Sequence, residues 1–263
     1  MPPNCSRILT HWGLIDEFNQ FATNPHVIRL CSYKDGKVLA KTALVTEEED
    51  QTKYPHLVLQ RGDYLRILVR EARRLGAELL PGNLVEHIDF ETPSVRTISG
   101  KNINADFIIG ADGQRSLCRS LLLGRDDPPI HTGNIVYRFT IQSDVVRQYD
   151  ELKHLVSPAS VVFWLGPRSH AVCYELTHRK VLNVVLVQPK VEGTSATTLQ
   201  NASLSDLRML FSAWDPKLRR LLDLAESCKS WPLINFEATS TWTHPSGKVL
   251  LTGDAAHYMT PHL

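Results

Sequence analysis

Two segments far apart in the chain hold residues from which chemistry can be built. They are Asp106-Phe107-Ile108-Ile109-Gly110-Ala111-Asp112-Gly113-Gln114-Arg115-Ser116 and Lys248-Val249-Leu250-Leu251-Thr252-Gly253-Asp254-Ala255-Ala256-His257. Each reads as an apolar strand that stops at a Gly/Asp turn and feeds a helix. Doubly wound proteins use that geometry to present backbone N–H groups to a phosphate-bearing cofactor. Gly113 lets backbone come close to a ligand, and the Asp112 carboxylate can accept hydrogen bonds from ribose hydroxyls or from helix N–H groups. Gly253 and Asp254 repeat the device, with Ala255 and Ala256 small enough to admit a flat ligand against the backbone. Singly, either segment is equally a strand-to-helix turn with an N-cap aspartate; as an ordered pair they are far more specific. Pro261 follows, suited to a helix start because its missing N–H would be unpaired there anyway. No G-x-G-x-x-G occurs anywhere. His257, with His244 and His262 nearby, matches no common metal-ligand spacing.

Positioning these turns requires a scaffold, and hydrophobic periodicity outlines one. Ile8, Leu9, Trp12, Leu14 and Ile15 recur at helical spacing behind Asn4 and Ser6, so the chain opens on a helix. Val27 to Tyr33 and Lys37 to Thr42 predict two strands about Lys34-Asp35-Gly36, a sequence suited to a tight turn. Between Arg61 and Gly76, residues Leu65, Leu68, Val69, Ala72 and Leu75 form an apolar stripe, with Asp63 suited to the helix start. Short strands are expected at 78–80, 84–90 and 94–98, then a strand at 107–109 covered on both faces. After Asp126-Asp127-Pro128-Pro129, long strands at 135–141, 161–165, 171–176 and 181–187 follow without intervening helices, as in an antiparallel sheet. Helices at 204–214 and 216–224, with Asp206 and Asp215 in or before their first turns, precede a strand near 233–238.

The composition excludes several classes of protein. The net charge of +1 recommends no polyanionic partner, and hence no nucleic acid. The acidic run Glu47-Glu48-Glu49-Asp50 and the basic face Arg70, Arg73, Arg74 read as solvated surface. Five scattered cysteines, Cys5, Cys31, Cys118, Cys173 and Cys228, show no C-x-x-C spacing, which argues against a disulfide framework or zinc site and for a reducing, cytoplasmic setting. No apolar run approaches the roughly 18 residues of a membrane span.

On these motifs the chain resembles the single-component FAD-dependent aromatic monooxygenases of the salicylate hydroxylase type, which include fungal secondary-metabolite enzymes. Pro2-Pro3-Asn4-Cys5-Ser6-Arg7-Ile8-Leu9 is similar to the helix after their first flavin strands, and Gln60-Arg61-Gly62-Asp63-Tyr64-Leu65 to their arginine-bearing helix start. Trp164-Leu165-Gly166-Pro167 with His170 and Tyr174 resembles a substrate-domain hairpin, and Trp231 with Trp242 the stretch before the second flavin motif. The resemblance implies an α/β fold, a partial Rossmann-like FAD-binding domain interleaved with a mostly antiparallel substrate-domain sheet. Its expected boundaries are 1–128 for the FAD-binding domain, 129–243 for the substrate domain and 244–263 for the return to the first, with 27–58 free to pack on the substrate sheet. It further implies that Arg61 contacts the FAD phosphate or ribityl region, that Asp254 binds a ribityl hydroxyl, and that Val85, Asp112, Gly113, Gly253, Ala255 and Pro261 belong to the cofactor site. A guanidinium suits Arg61's role because its donors are fixed in a fork. Arg138 and Tyr174 correspond to sheet positions that in some relatives hold a phenolate or enolate over the flavin.

The implied activity is NAD(P)H- and O2-dependent hydroxylation of an aromatic or polyketide-like small molecule, with FAD as cofactor. Epoxidation or Baeyer-Villiger-type oxidation fits the same motifs. A non-enzyme alternative is an inactive fragment or half of a split flavoprotein. In this family a glycine-rich strand and turn precede the chain's first helix and a further helix follows Pro261. The expectation is therefore weak flavin retention and poor solubility for this polypeptide.

Overall fold

The computed structural model describes residues 1–44, 54–156, 160–190, 198–239 and 241–260. The acidic run at 47–50 and Pro261 lie outside the described residues. The chain divides into two compact units, Met1–Ala77 with Gly133–Pro232, and Glu78–Thr132 with Leu233–Leu263.

The first unit is built on an eight-stranded sheet. Its strands are β1 (Val27–Ser32), β2 (Val38–Ala43), β7 (Ile130–Gln142), β8 (Ser160–Gly166), β9 (Ser169–Leu176), β10 (Val181–Pro189), β11 (Gln200–Asn201) and β12 (Lys229–Asn235), in the order β11-β12-β7-β10-β9-β8-β1-β2. The pairs β1/β2, β8/β9, β9/β10, β10/β7 and β11/β12 are antiparallel. The early strand β1 instead runs parallel to β8, with Cys31 beside Trp164. The side-chain period of two sends Ile135, Tyr137, Phe139 and Ile141 of β7 to one face, level with Leu182, Val184 and Leu186 of β10 and with Cys173, Ala171, Val162 and Trp164 beyond. Phe211, Trp214, Leu218, Leu221 and Leu222 pack against them to close the main core. A second, smaller core gathers Leu9, Leu14, Phe18, Leu57 and Ile67 from the helices α1 (Pro3–His11), α2 (Ile15–Phe21) and α3 (Arg61–Arg74) and the segment before α3.

The second unit holds a three-stranded antiparallel sheet, β3 (Val85–Asp89), β4 (Ser94–Thr97) and β5 (Asn102–Asn104), and a parallel pair, β6 (Ile108–Gly110) with β13 (Val249–Leu251). Ile88, Cys118, Leu251 and Ala256 form its core. Among the described residues no helix is long and apolar enough to cross a membrane.

Several local expectations are corrected. The opening helix breaks at Gly13, whose φ of +74° suits glycine and ends one helix before Ile15 starts the next. On α3 the apolar stripe is only partly the buried face: Leu68 packs against the smaller core, but Leu65 and Leu75 are 59% and 70% exposed, while Asp63 and Ile67, one turn apart, are buried. The pair Arg179 makes with Asp63 holds a carboxylate on the inner face, where periodicity counts only apolar residues. Residues 78–80 form no strand. The strand at 107–109 runs 108–110 and is not covered on both faces, since Phe107 and Ile109 are 44% and 58% exposed. The helix expected over 204–214 ends at Leu210, leaving Phe211 and Trp214 to enter the core from a turn. The strand near 233–238 is shifted to 229–235.

Candidate functional site

The two Gly/Asp turns leave the same end of one parallel strand pair. β6 and β13 are in register, with Ile108 beside Val249, Ile109 beside Leu250 and Gly110 beside Leu251, and the Thr252 N–H donates to the Gly110 carbonyl at 2.9 Å. Gly110 makes this close pairing possible. A Cβ at that position would lie 2.7 Å from the Cys118 Cβ and 2.9 Å from Leu251 Cδ2.

Beyond the strands the two aspartates do different things. Asp112 is committed to its own turn: Oδ1 accepts from the Ser116 hydroxyl at 2.5 Å and Oδ2 from the Cys118 N–H at 3.1 Å. Ser116 in turn caps α4 (Leu117–Leu123), its Oγ accepting from the Arg119 N–H at 2.9 Å. Burial pushes the Asp112 pKa upward, but the hydrogen bonds from Ser116 and the Cys118 amide outweigh it and hold the carboxyl below its ordinary value. Asp254, by contrast, opens the short helix α8 (Asp254–His257), is exposed, and its carboxylate makes no hydrogen bond or ion pair among the described residues.

The glycines beside these aspartates leave backbone open. Gly113 has φ +83°, Gly253 has φ +58° and ψ −142°, and no atom lies within 4 Å of where a Cβ would stand on either. The conformation at Gly253 is one that only glycine adopts without strain. Ala255 and Ala256 are buried, and His257 stacks on Trp242 at 5.1 Å between ring centres.

A residue that motif reading missed holds the two turns together. Arg119, 2% exposed, donates from Nε to Asp127 Oδ2 at 2.5 Å, from Nη2 to the Gln114 carbonyl at 3.0 Å, and from Nη1 to the carbonyls of Ala255 at 3.1 Å and Asp254 at 3.3 Å. Its guanidinium also lies over the Phe236 ring, 4.3 Å from the centre. The signal in the sequence was a single arginine within the otherwise apolar run Leu117-Cys118-Arg119-Ser120-Leu121-Leu122-Leu123. An arginine so placed is buried only if its donors are satisfied.

The structure therefore brings Asp112, Gly113, Gly253, Asp254 and Ala255 to neighbouring turns of the second unit. Val85, half-buried at the start of β3, packs on the core beneath them. Arg61, Arg138 and Tyr174 belong to the first unit. Arg61 is the first residue of α3, exposed and without an ion pair or hydrogen bond among the described residues. Arg138 on β7 and Tyr174 on β9 share the face of the sheet opposite the main core. Arg138 is level with Val185 and Val172, and Tyr174 with Asn183 one row away. Burial raises the Tyr174 phenol above its ordinary pKa, with the Arg138 charge acting in the opposite sense.

The second unit leaves unhindered backbone at Gly113 and Gly253 and an uncommitted carboxylate at Asp254, while in the first unit the Arg61 guanidinium is uncommitted. A family model described as "FAD binding domain" matches residues 3–263. The chain is 32% identical over 270 residues to the FAD-dependent monooxygenase OpS4 of Beauveria bassiana, covering all of this chain and 62% of that protein. It is 28% identical over 271 residues to the 3-amino-4-hydroxybenzoate 2-monooxygenase PtnB3 of Streptomyces platensis, covering all of this chain and 64% of that one. Its fold matches a salicylate hydroxylase substrate complex with a TM-score of 0.80 at 21% identity, over 100% of this chain and 66% of the other. The chain belongs to the FAD-binding domain family over residues 3–263. It spans a little under two thirds of the length of the curated relatives it matches.

Proposed function

We propose that the chain takes part in FAD-dependent hydroxylation of an electron-rich aromatic or polyketide-like compound, with NADH or NADPH as reductant and O2 as oxidant. The observation that supports this most directly is the in-register β6/β13 pair, which delivers both Gly/Asp turns from one strand end. Bound FAD supplies the redox and oxygen chemistry. This chain's residues supply position and charge.

In this reading Asp254 accepts a hydroxyl of the ribityl chain, and the bare backbone at Gly113 and Gly253 admits the cofactor without steric cost. Ala255 packs beneath it, with Val85 supporting the turns from the core. Asp112 acts indirectly, holding its turn through Ser116 and Cys118. Arg61 offers its fork to a phosphate oxygen. On the sheet face opposite the main core Arg138 stabilises the oxygen of an ionised phenol, and Tyr174 donates or accepts a hydrogen bond at the same group. Holding the substrate as its anion raises electron density on the ring, which is what hydroxylation of an aromatic requires. The 3-amino-4-hydroxybenzoate monooxygenase among the relatives supports a phenol with a carboxylate as the substrate class.

The test is flavin and phenol uptake followed by turnover. The chain is titrated with FAD by flavin fluorescence, then reduced anaerobically by each nicotinamide with and without 3-amino-4-hydroxybenzoate or salicylate. Measurable flavin uptake, weak as expected from the sequence, and reduction that quickens with one phenol, is the expected result. A folded chain that takes up neither FAD nor any phenol would sink the reading.

A further inference from the structure

Asn183 stands in the middle of the sheet on the face that carries Arg138 and Tyr174, and it is fully buried, at 0% exposure. Its Oδ1 accepts from Arg138 Nε at 2.6 Å. Arginine has donors only, so the amide orientation is fixed: the oxygen must face Arg138 and Nδ2 must point elsewhere. That Nδ2 is buried and has no hydrogen-bond partner. A buried donor left unpaired is a standing cost to the fold, and a leucine of similar volume would avoid it. A residue kept at such a cost, and bonded to a single half-buried cation, points to function and not to stability.

We propose that Asn183 is a positioning residue. By engaging Nε, it holds the Arg138 guanidinium so that its Nη groups, which make no hydrogen bond among the described residues, face the oxygen of an anionic planar ligand, a phenolate or an aromatic carboxylate, on that face of the sheet. The inference rests on the substrate-binding reading of Arg138 given above. Nε is bonded on the β10 side, so the planar fork has lost its freedom to turn, and less entropy is spent when a carboxylate or phenolate docks. Tyr174 is the register partner of Asn183 on β9, which puts the amide between the two residues expected to meet the ligand.

The experiment compares the anion 4-hydroxybenzoate with its neutral isostere 4-hydroxybenzamide by calorimetry. It uses the chain with FAD present, as wild type, Arg138→Leu, Asn183→Leu and Asn183→Ser. Wild type should prefer the anion, Arg138→Leu should erase the preference, and each Asn183 variant should reduce it about tenfold, the scale of one charge-assisted hydrogen bond. The Arg138 Nε–H resonance in a nitrogen-15 NMR spectrum should be slow to exchange in wild type and fast in both Asn183 variants. Melting temperature should hold or rise in Asn183→Leu, because the unpaired donor is gone. Anion preference that survives in both Asn183 variants but not in Arg138→Leu overturns the role of Asn183 and leaves the Arg138 reading standing. No preference in wild type, or one that survives Arg138→Leu, overturns both. A melting temperature that falls in both Asn183 variants assigns the residue to the fold and overturns the proposal.

Discussion

Arg119 and Asp127 form an ion pair, Nε to Oδ2 at 2.5 Å, in which both side chains are almost sealed from water. The pair anchors a guanidinium whose other donors reach the carbonyls of Gln114, Asp254 and Ala255, so one side chain ties both Gly/Asp turns to one point. Removing one partner leaves a buried charge uncompensated. Asp127→Ala and Arg119→Met should each lower stability to urea by about 3–5 kcal/mol. The double variant should cost less than the sum of the two, because neither charge is then left alone. Strictly additive single losses would show that the pair does not act as a unit.

Asp112 and Asp254 occupy matching places in the two motifs yet should respond to mutation in opposite ways. Asp112 spends its carboxylate on Ser116 and Cys118. Asp112→Ala should therefore destabilise the turn by about 1–3 kcal/mol, the cost of unpaired buried donors. Asp254 spends nothing on the protein, so Asp254→Ala should leave the melting temperature unchanged and weaken FAD binding by about tenfold, one charge-assisted hydrogen bond. Thermal melts and FAD titrations on the two variants separate these outcomes; a stability loss at Asp254 equal to that at Asp112 would contradict the division of labour.

Gly110 and Gly253 should fail on replacement for different reasons. At Gly110 the backbone tolerates a side chain but space does not, with Cys118 Cβ and Leu251 Cδ2 both inside 3 Å of the new atom. Gly110→Ala should cost about 1–3 kcal/mol through overpacking. At Gly253 space is open but φ +58° with ψ −142° excludes an L side chain, so Gly253→Ala should cost a similar 1–3 kcal/mol through strain. A Leu251→Ala background, which removes Cδ2, would reduce the first loss and leave the second untouched.

The parts of the fold legible in the sequence were those decided by neighbours in the chain. The strand–turn–helix pattern of both motifs, the strands 27–32 and 171–176 and the helix 216–224 follow from local periodicity, and Asp215 does cap that last helix, accepting from the Lys217 N–H at 3.0 Å. What periodicity could not reach were pairings made by the fold. The same Asp215 also accepts from Trp164 Nε1 at 2.7 Å, and β1 runs parallel to β8 from far away in sequence. Arg119 and Asn183 escaped for a related reason: an arginine in an apolar helix and an asparagine in a strand look like interruptions until their partners are seen.

Asp63 shows the same effect on α3, and it makes the stability of the first unit depend on pH. Its carboxylate is buried and takes two hydrogen bonds from Arg179, at 2.5 and 3.0 Å, with Arg66 at 2.9 Å. The hydrogen bonds from Arg179 hold its pKa below the ordinary aspartate value, outweighing the upward push of burial. A folded-state pKa below the unfolded one means that the stabilisation is complete above the unfolded value, near 3.8, and is lost as pH falls through the folded value. Wild type should therefore lose stability as pH falls below about 4 more steeply than Asp63→Asn, which has no proton to take up. At neutral pH the Asp63→Asn variant should be less stable by about 1–3 kcal/mol, below the cost of breaking a sealed pair because Arg179 remains half exposed to water. Denaturant unfolding of both proteins across that window, with Arg179→Met as a control expected to flatten the same slope, checks the assignment. Identical acid limbs in wild type and Asp63→Asn would refute it.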